Sequence, residues 1–129
     1  MKQILFLLIS LTISSPAFSV ERTLNKNESK KLVKTLTSSF DLGYPTAIDL
    51  TCTQMDILEL NCAASNNKGQ QQTVFSSDAK SVKNTFSSLG YPMTCSNESG
   101  QHECYLSATV NCVKSSQDRN DSCTVEVQN

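Results

Sequence analysis

With 129 residues, 11 Lys+Arg against 12 Asp+Glu and a net charge of −1, the chain has room for one domain or two very small ones, and none for a large cofactor-binding fold. The near-balanced charge leaves no basic stripe to neutralise phosphates, so nucleic acid is not an expected partner. A single histidine and no tryptophan narrow the catalytic repertoire further.

The chain opens on a targeting pattern. Lys2 precedes an apolar run from Ile4 to Ile13 broken only by Ser10 and Thr12, and Ala17 and Ser19 put small residues on the near side of a cut after Ser19. This is the three-part layout of a secretory signal peptide. A membrane anchor needs about 20 apolar residues in succession; this run is shorter, and no cysteine lies at the cut to carry a lipid. The sequence therefore predicts a signal peptide over residues 1–19. Residues 20–129 would form one compact exported domain, periplasmic or extracellular, with no membrane span after cleavage.

Next come a helix and three strands. Asn25 and Glu28 have the spacing of a capping box, and Leu32, Val33, Leu36 and Phe40 share one helical face. Leu42-Gly43 ends the helix and Tyr44-Pro45 prevents its continuation. Strands are predicted at about 46–53, 57–64 and 70–75, the last two joined by the turn Asn66-Asn67-Lys68-Gly69. The order then repeats. A Ser76-Ser77 cap starts a helix with Ala79, Val82, Phe86 and Leu89 on one face, Leu89-Gly90 stops it, and strands follow at about 91–96, 103–113 and 122–128. Ser99-Gly100 supplies a tight turn, and Ser115 to Asp121 a longer loop.

Leu42-Gly43-Tyr44-Pro45 recurs as Leu89-Gly90-Tyr91-Pro92, each followed by Thr-Cys and then Asn-Cys, and upstream Glu28 to Leu32 matches Asp78 to Val82. An ordered series of matches implies a tandem duplication of an α-β-β-β unit, about 25–75 and 76–129. The expected fold class is α+β: two helices packed on antiparallel sheet, stapled by disulfides.

An even cysteine count in a small exported chain points to disulfides. Cys52, Cys62, Cys95, Cys104, Cys112 and Cys123 fall on the apolar faces of their strands, in phase with Leu50, Leu60, Leu106, Val110 and Val125. A two-residue turn at Ser99-Gly100 sets Cys95 opposite Cys104, and a hairpin centred between Gln117 and Asp118 sets Cys112 opposite Cys123. Cys52–Cys62 follows by elimination, although a tight turn between them would put them out of register. The competing scheme keeps 52–62 and joins 95 to 112 and 104 to 123.

Catalytic chemistry is hard to assemble. No Gly-x-Ser-x-Gly elbow or Cys-x-x-Cys exists, the cysteines are assigned to bridges, and His102 reads as a loop histidine. Nothing in the spacing of Asp56/Glu59 or Glu98/Glu103 singles out an acid–base pair, and Asp118, Asn120 and Asp121 lack the calcium-loop pattern. No metal or other cofactor is expected. The Asn27, Asn97 and Asn120 sequons are matches that a chain rich in Asn, Ser and Thr produces by chance. The expected function is a small exported non-enzymatic binding protein, such as an inhibitor of another exported protein. The alternative is a small exported hydrolase or a small-ligand or metal-binding protein. Candidate contact residues are Tyr44, Tyr91, Glu98, His102, Asp118 and Arg119, in or near the loops at 97–103 and 115–121, with each tyrosine also able to fold back as part of its helix cap.

Overall fold

A computed structural model describes residues 19–55, 59–97 and 102–128; apart from Ser19, the expected signal peptide lies outside these residues. The elements are β1 (Ser19–Thr23), α1 (Lys26–Ser39), β2 (Ile48–Met55), β3 (Asn61–Ser65), β4 (Gln71–Phe75), α2 (Ser76–Ser88), β5 (Thr94–Ser96), β6 (Glu103–Lys114) and β7 (Asp121–Gln128). The α+β class, two helices on an antiparallel sheet, is as expected. β1 is an addition, a short strand straddling the expected cleavage point.

The predicted capping box starts α1: the Glu28 amide donates to Asn25 Oδ1 at 2.8 Å, and the Asn25 amide donates to Glu28 Oε1 at 3.0 Å. The two helices end differently. At α2, the Gly90 amide donates to the Ser87 carbonyl and the Tyr91 amide to the Phe86 carbonyl, with Gly90 at φ +96°, the left-handed stop the sequence predicts. α1 stops earlier, at Ser39, because Phe40 turns extended and buries its ring, and Gly43 serves a later bend. The Ser76-Ser77 cap does not form. Phe75 occupies the cap position with no side-chain bond, and the Ser76 hydroxyl donates instead to Glu59 Oε2.

One sheet runs β1-β7-β6-β2-β3-β4, every pair antiparallel, with β5 paired to the start of β6. The order reads alike from both edges. The strand before a helix lies outermost (β1, β4), a hairpin strand comes next (β7, β3), and its partner lies at the centre (β6, β2). Both helices cover the same face. The Cys123 amide donates to Ser29 Oγ of α1 at 3.0 Å, while Cys62 Sγ lies 3.7 Å from the Ala79 carbonyl of α2. Where the helices meet, the buried hydroxyls of Thr35 and Thr85 share a hydrogen bond of 2.8 Å. Leu32, Leu50, Val82, Phe86, Val110 and Val125 fill the layer between helices and sheet.

Three disulfides join Cys52 to Cys62, Cys95 to Cys104 and Cys112 to Cys123, each pair directly opposite in register. The competing 95–112 and 104–123 scheme is thereby excluded. Cys52 and Cys62 are in register because the chain between β2 and β3 is longer than a tight turn. One expectation fails: Cys95 is exposed, since β5 is three residues long and no helix covers it.

Candidate binding surface

Register determines what the uncovered face carries. Side chains alternate along a strand, so the partners of buried Leu50, Cys62, Leu106 and Val125 fall on one side and their neighbours on the other. Across the sheet those neighbours form rows: Phe75, Asn61, Thr53, Tyr105 and Thr94; then Thr73, Ala63, Thr51, Ser107 and Gln128; then Gln71, Ser65, Asp49, Thr109, Glu126 and Glu21. Most of these side chains are short hydroxyls and amides that keep the face low. Thr109 Oγ1 donates to Asp49 Oδ1 at 3.0 Å and Thr53 Oγ1 to Asn61 Oδ1 at 3.3 Å, so neighbouring strands tie their own polar groups. Four larger apolar side chains stand on it or at its margins: Val113, 58 % exposed, Phe75, 53 %, Met55, 42 %, and Tyr105, 41 %.

Charge separates between the two layers. Glu21, Asp49, Glu103 and Glu126 lie on the open face, and among the described residues no lysine or arginine belongs to its rows. Glu21 and Glu126 are direct cross-strand partners, an unfavourable like-charge placement. The helices carry Lys26, Lys30, Lys31, Lys34, Lys80 and Lys83 against Glu28 and Asp78.

The residues singled out by sequence fall into two groups. β6 is 12 residues long, which at about 3.4 Å per residue holds the loops at its two ends roughly 35–40 Å apart. Tyr44, Asp118 and Arg119 gather at the hairpin end, and Tyr91 and His102 at the other; Glu98 lies outside the described residues, as does Asp56 of the acid pairs. The two loops therefore flank the sheet without forming one patch.

Neither tyrosine is a free surface ring. Tyr44 donates its hydroxyl to Asp121 Oδ1 at 2.7 Å, with Lys114 Nζ 5.7 Å from its ring centroid and 3.2 Å from the same carboxylate. Tyr91 accepts from Arg22 Nε at 3.1 Å, with the guanidinium 5.5 Å from its ring centroid, while Arg22 Nη2 donates to the Leu89 carbonyl at 2.8 Å. Each ring thus links its helix-end segment to a distant strand. The Asp118 carboxylate is held low first by the Asn120 amide and then by Ser115 within its own loop. Arg119, with φ +62°, lines an open recess of about 250 Å³ together with Lys26, Lys30 and Lys114.

Burial, followed by its bond to Asp121, pushes the Tyr44 phenol up to about 12. Burial also opposes ionisation of Asp121, but hydrogen bonds from Tyr44 and Lys114 and the charges of Lys114 and Lys30 outweigh it and lower that carboxyl. The raised phenol gives stability that is fully present below the ordinary tyrosine value of about 10 and is lost as pH climbs through about 12. Stability should therefore fall across that alkaline window in the wild type and less so in Tyr44→Phe. Denaturant midpoints at stepped pH test this; identical alkaline slopes would refute it.

His102 is exposed; its Nδ1 lies 2.8 Å from Asn97 Oδ1 and its Nε2 3.5 Å from Cys104 Sγ. The nearness of His102 to Cys104 is signalled by the His102-Glu103-Cys104 spacing, since residues two apart on an extended chain fall on one side. Among the described residues no helix is long and apolar enough to cross a membrane. In comparisons with known proteins, no family model, no curated protein and no solved structure matches the chain.

Proposed function

We propose that this is an exported, non-enzymatic binding protein that docks a partner with a basic contact surface on the open face of its sheet, as an inhibitor of another exported protein would. The observation that carries the reading is the charge separation: four acids and no described lysine or arginine on the uncovered face, with the lysines concentrated on the helices behind it. Complementary potential steers a basic partner to that side and discourages the opposite approach. Short hydroxyl side chains lose little entropy on contact, and Tyr105, Phe75 and Met55 supply apolar anchors. Three disulfides hold the platform rigid, which lowers the ordering cost of binding. Export rests on the N-terminal signal pattern together with these bridges.

We also read the two halves as a tandem duplication, with the unit boundaries moved. The sheet order supports β-α-β-β units, 19–65 and 71–128, in which β4 opens the second unit and β5 is inserted between α2 and β6. Thr35 and Thr85, equivalent in the sequence repeat, touch each other, as residues near a local twofold axis would.

The test is capture from the host's envelope or secreted fraction with the oxidised protein, against a reduced and alkylated control. Thr51→Arg and Ser107→Arg, side by side at the middle of the open face, should each weaken the captured complex by at least about tenfold, since like charge is brought against the partner. Lys34→Glu, on the helix layer, should leave it within about twofold, and thermal midpoints should stay put in all three. Added salt should weaken the wild-type complex. Equal capture by the open-face variants, or loss confined to the helix variant, would sink the reading.

A further inference from the structure

The bridge between Cys95 and Cys104 differs from the other two in its surroundings. Cys52, Cys62, Cys112 and Cys123 are fully buried beneath the helices, whereas Cys95 is exposed on a three-residue strand that pairs only with the first three residues of β6. An incoming thiolate can therefore meet Cys95 Sγ without the helix layer opening. Reactivity of a disulfide depends on this access and on how well the departing sulfur carries its charge.

His102 stands beside the departing sulfur. Its Nε2 is 3.5 Å from Cys104 Sγ, and its Nδ1 is 2.8 Å from Asn97 Oδ1. An amide oxygen only accepts, so Nδ1–H is the donor and, in the neutral ring, the Nε2 lone pair faces the sulfur. Both Sγ atoms and an imidazole nitrogen lie within 4.8 Å of one another. Two cysteines and an imidazole whose second nitrogen is already held by a hydrogen bond make up the donor set of a zinc site with one position open. Around a tetrahedral zinc the ligand atoms would stand about 3.5–3.8 Å apart; the sulfurs, bonded in the closed bridge, part once it opens, and Cys95 Sγ draws nearer Nε2, shifts that side-chain rotation can supply.

We propose that Cys95, His102 and Cys104 form a redox-gated site for a thiolate-binding divalent cation of the zinc class. While the bridge is closed, both sulfurs are neutral and the site is shut. A dithiol reductant opens it. One of its thiolates attacks Cys95 Sγ, the S–S bond breaks with its electron pair on Cys104, and the second reductant thiol then displaces Cys95 as the reductant closes its own disulfide. The reductant gives up two electrons and two protons, and the protein gains two thiols. Binding of one Zn²⁺ by both sulfurs and Nε2 releases two protons to solvent.

The test treats the purified oxidised protein with one equivalent of a water-soluble phosphine, which takes up oxygen from water as the disulfide becomes two thiols and, unlike a dithiol, does not compete strongly for the metal. Alkylation and mass spectrometry should find Cys95 and Cys104 modified at least about tenfold more than the other four cysteines. Titration of this species with Co²⁺ should then give a thiolate-to-metal charge-transfer band saturating at one equivalent and erased by Zn²⁺, while the oxidised protein gives none. His102→Ala, a change at an exposed position, should keep the alkylation pattern and weaken Co²⁺ binding by at least about tenfold. Preferential opening of another bridge, no charge-transfer band in the reduced protein, or wild-type Co²⁺ affinity in His102→Ala would each overturn the proposal. The site makes no use of the open sheet face, so partner capture can fail without affecting it.

Discussion

Replacing Cys112 and Cys123 together by alanine should lower the free energy of unfolding by about 4–5 kcal/mol, at the upper end of what a native bridge contributes. The three bridges close loops of similar size, with sequence separations of 10, 9 and 11, so the loop-entropy contribution alone is about 3 kcal/mol for each. What distinguishes them is the folded state. Cys112 and Cys123 are fully buried, and the Cys123 amide is bonded to Ser29 Oγ of α1. Removing the sulfurs there leaves a void under the helix and loosens a strand that holds both β6 and β1. The matching Cys95→Ala/Cys104→Ala protein loses a bridge at a strand end, outside the helix-covered core and with Cys95 exposed, and should stay at or below about 3 kcal/mol. Denaturant titration of the two double variants checks the difference. Equal losses would mean that burial under α1 adds nothing to the Cys112–Cys123 bridge.

Features determined by local chemistry were legible in the sequence. The Asn25–Glu28 capping box, the Gly90 helix stop and the alternating faces of β6 and β7 each follow from a few neighbouring residues, and the structure contains them all. The 95–104 and 112–123 pairings were legible because a hairpin's centre fixes its register. The 52–62 register was harder to read because the connection after β2 does not declare its length. β1 was missed because five residues at the edge of an expected signal peptide carry little periodicity. The early end of α1 depends on Phe40 finding a buried place, which is a property of packing. The charge of the open face needed strand order as well: sequence puts Asp49, Glu103 and Glu126 on the outer sides of their strands, but only the pairing β7-β6-β2 brings them onto one face, with Asp49 and Glu126 on either side of Thr109 and Glu103 at the far end of β6.

That face also carries a conflict that folding alone would not favour. Glu21 and Glu126 face each other across β1 and β7, a placement that costs a few tenths of a kcal/mol or more. Lys114, adjacent on β6 to the outward-facing Val113, is turned instead toward Tyr44 and Asp121 on the helix side. The two arrangements add to each other: one concentrates negative charge on the sheet and the other withdraws a positive charge from it. The Lys114 ion pair also serves the folded monomer, whereas the Glu21–Glu126 apposition does not; for a platform meeting a basic partner both strengthen the negative potential at the contact.

Phe86→Ala should be the most destabilising single substitution in the helix layer, at about 3–5 kcal/mol. Phe86 heads the fully buried side chains by size and lies on the α2 face between Val82 and Leu89. Its backbone carbonyl also accepts from the Leu89 and Tyr91 amides, so the residue sits where α2 ends and the chain turns back along the sheet. Truncation would leave a cavity bounded by the sheet, where the bridges limit collapse, and by α1, whose Thr35 is bonded to Thr85 one position away. Relaxation is thus limited, which keeps the cost near the top of the range. Leu89→Ala, at the partly open end of the same face, should cost less, toward 2 kcal/mol in rough terms. Thermal and denaturant unfolding of the two variants tests the order; a smaller loss for Phe86→Ala than for Leu89→Ala would show that the layer under α2 can close over a missing ring.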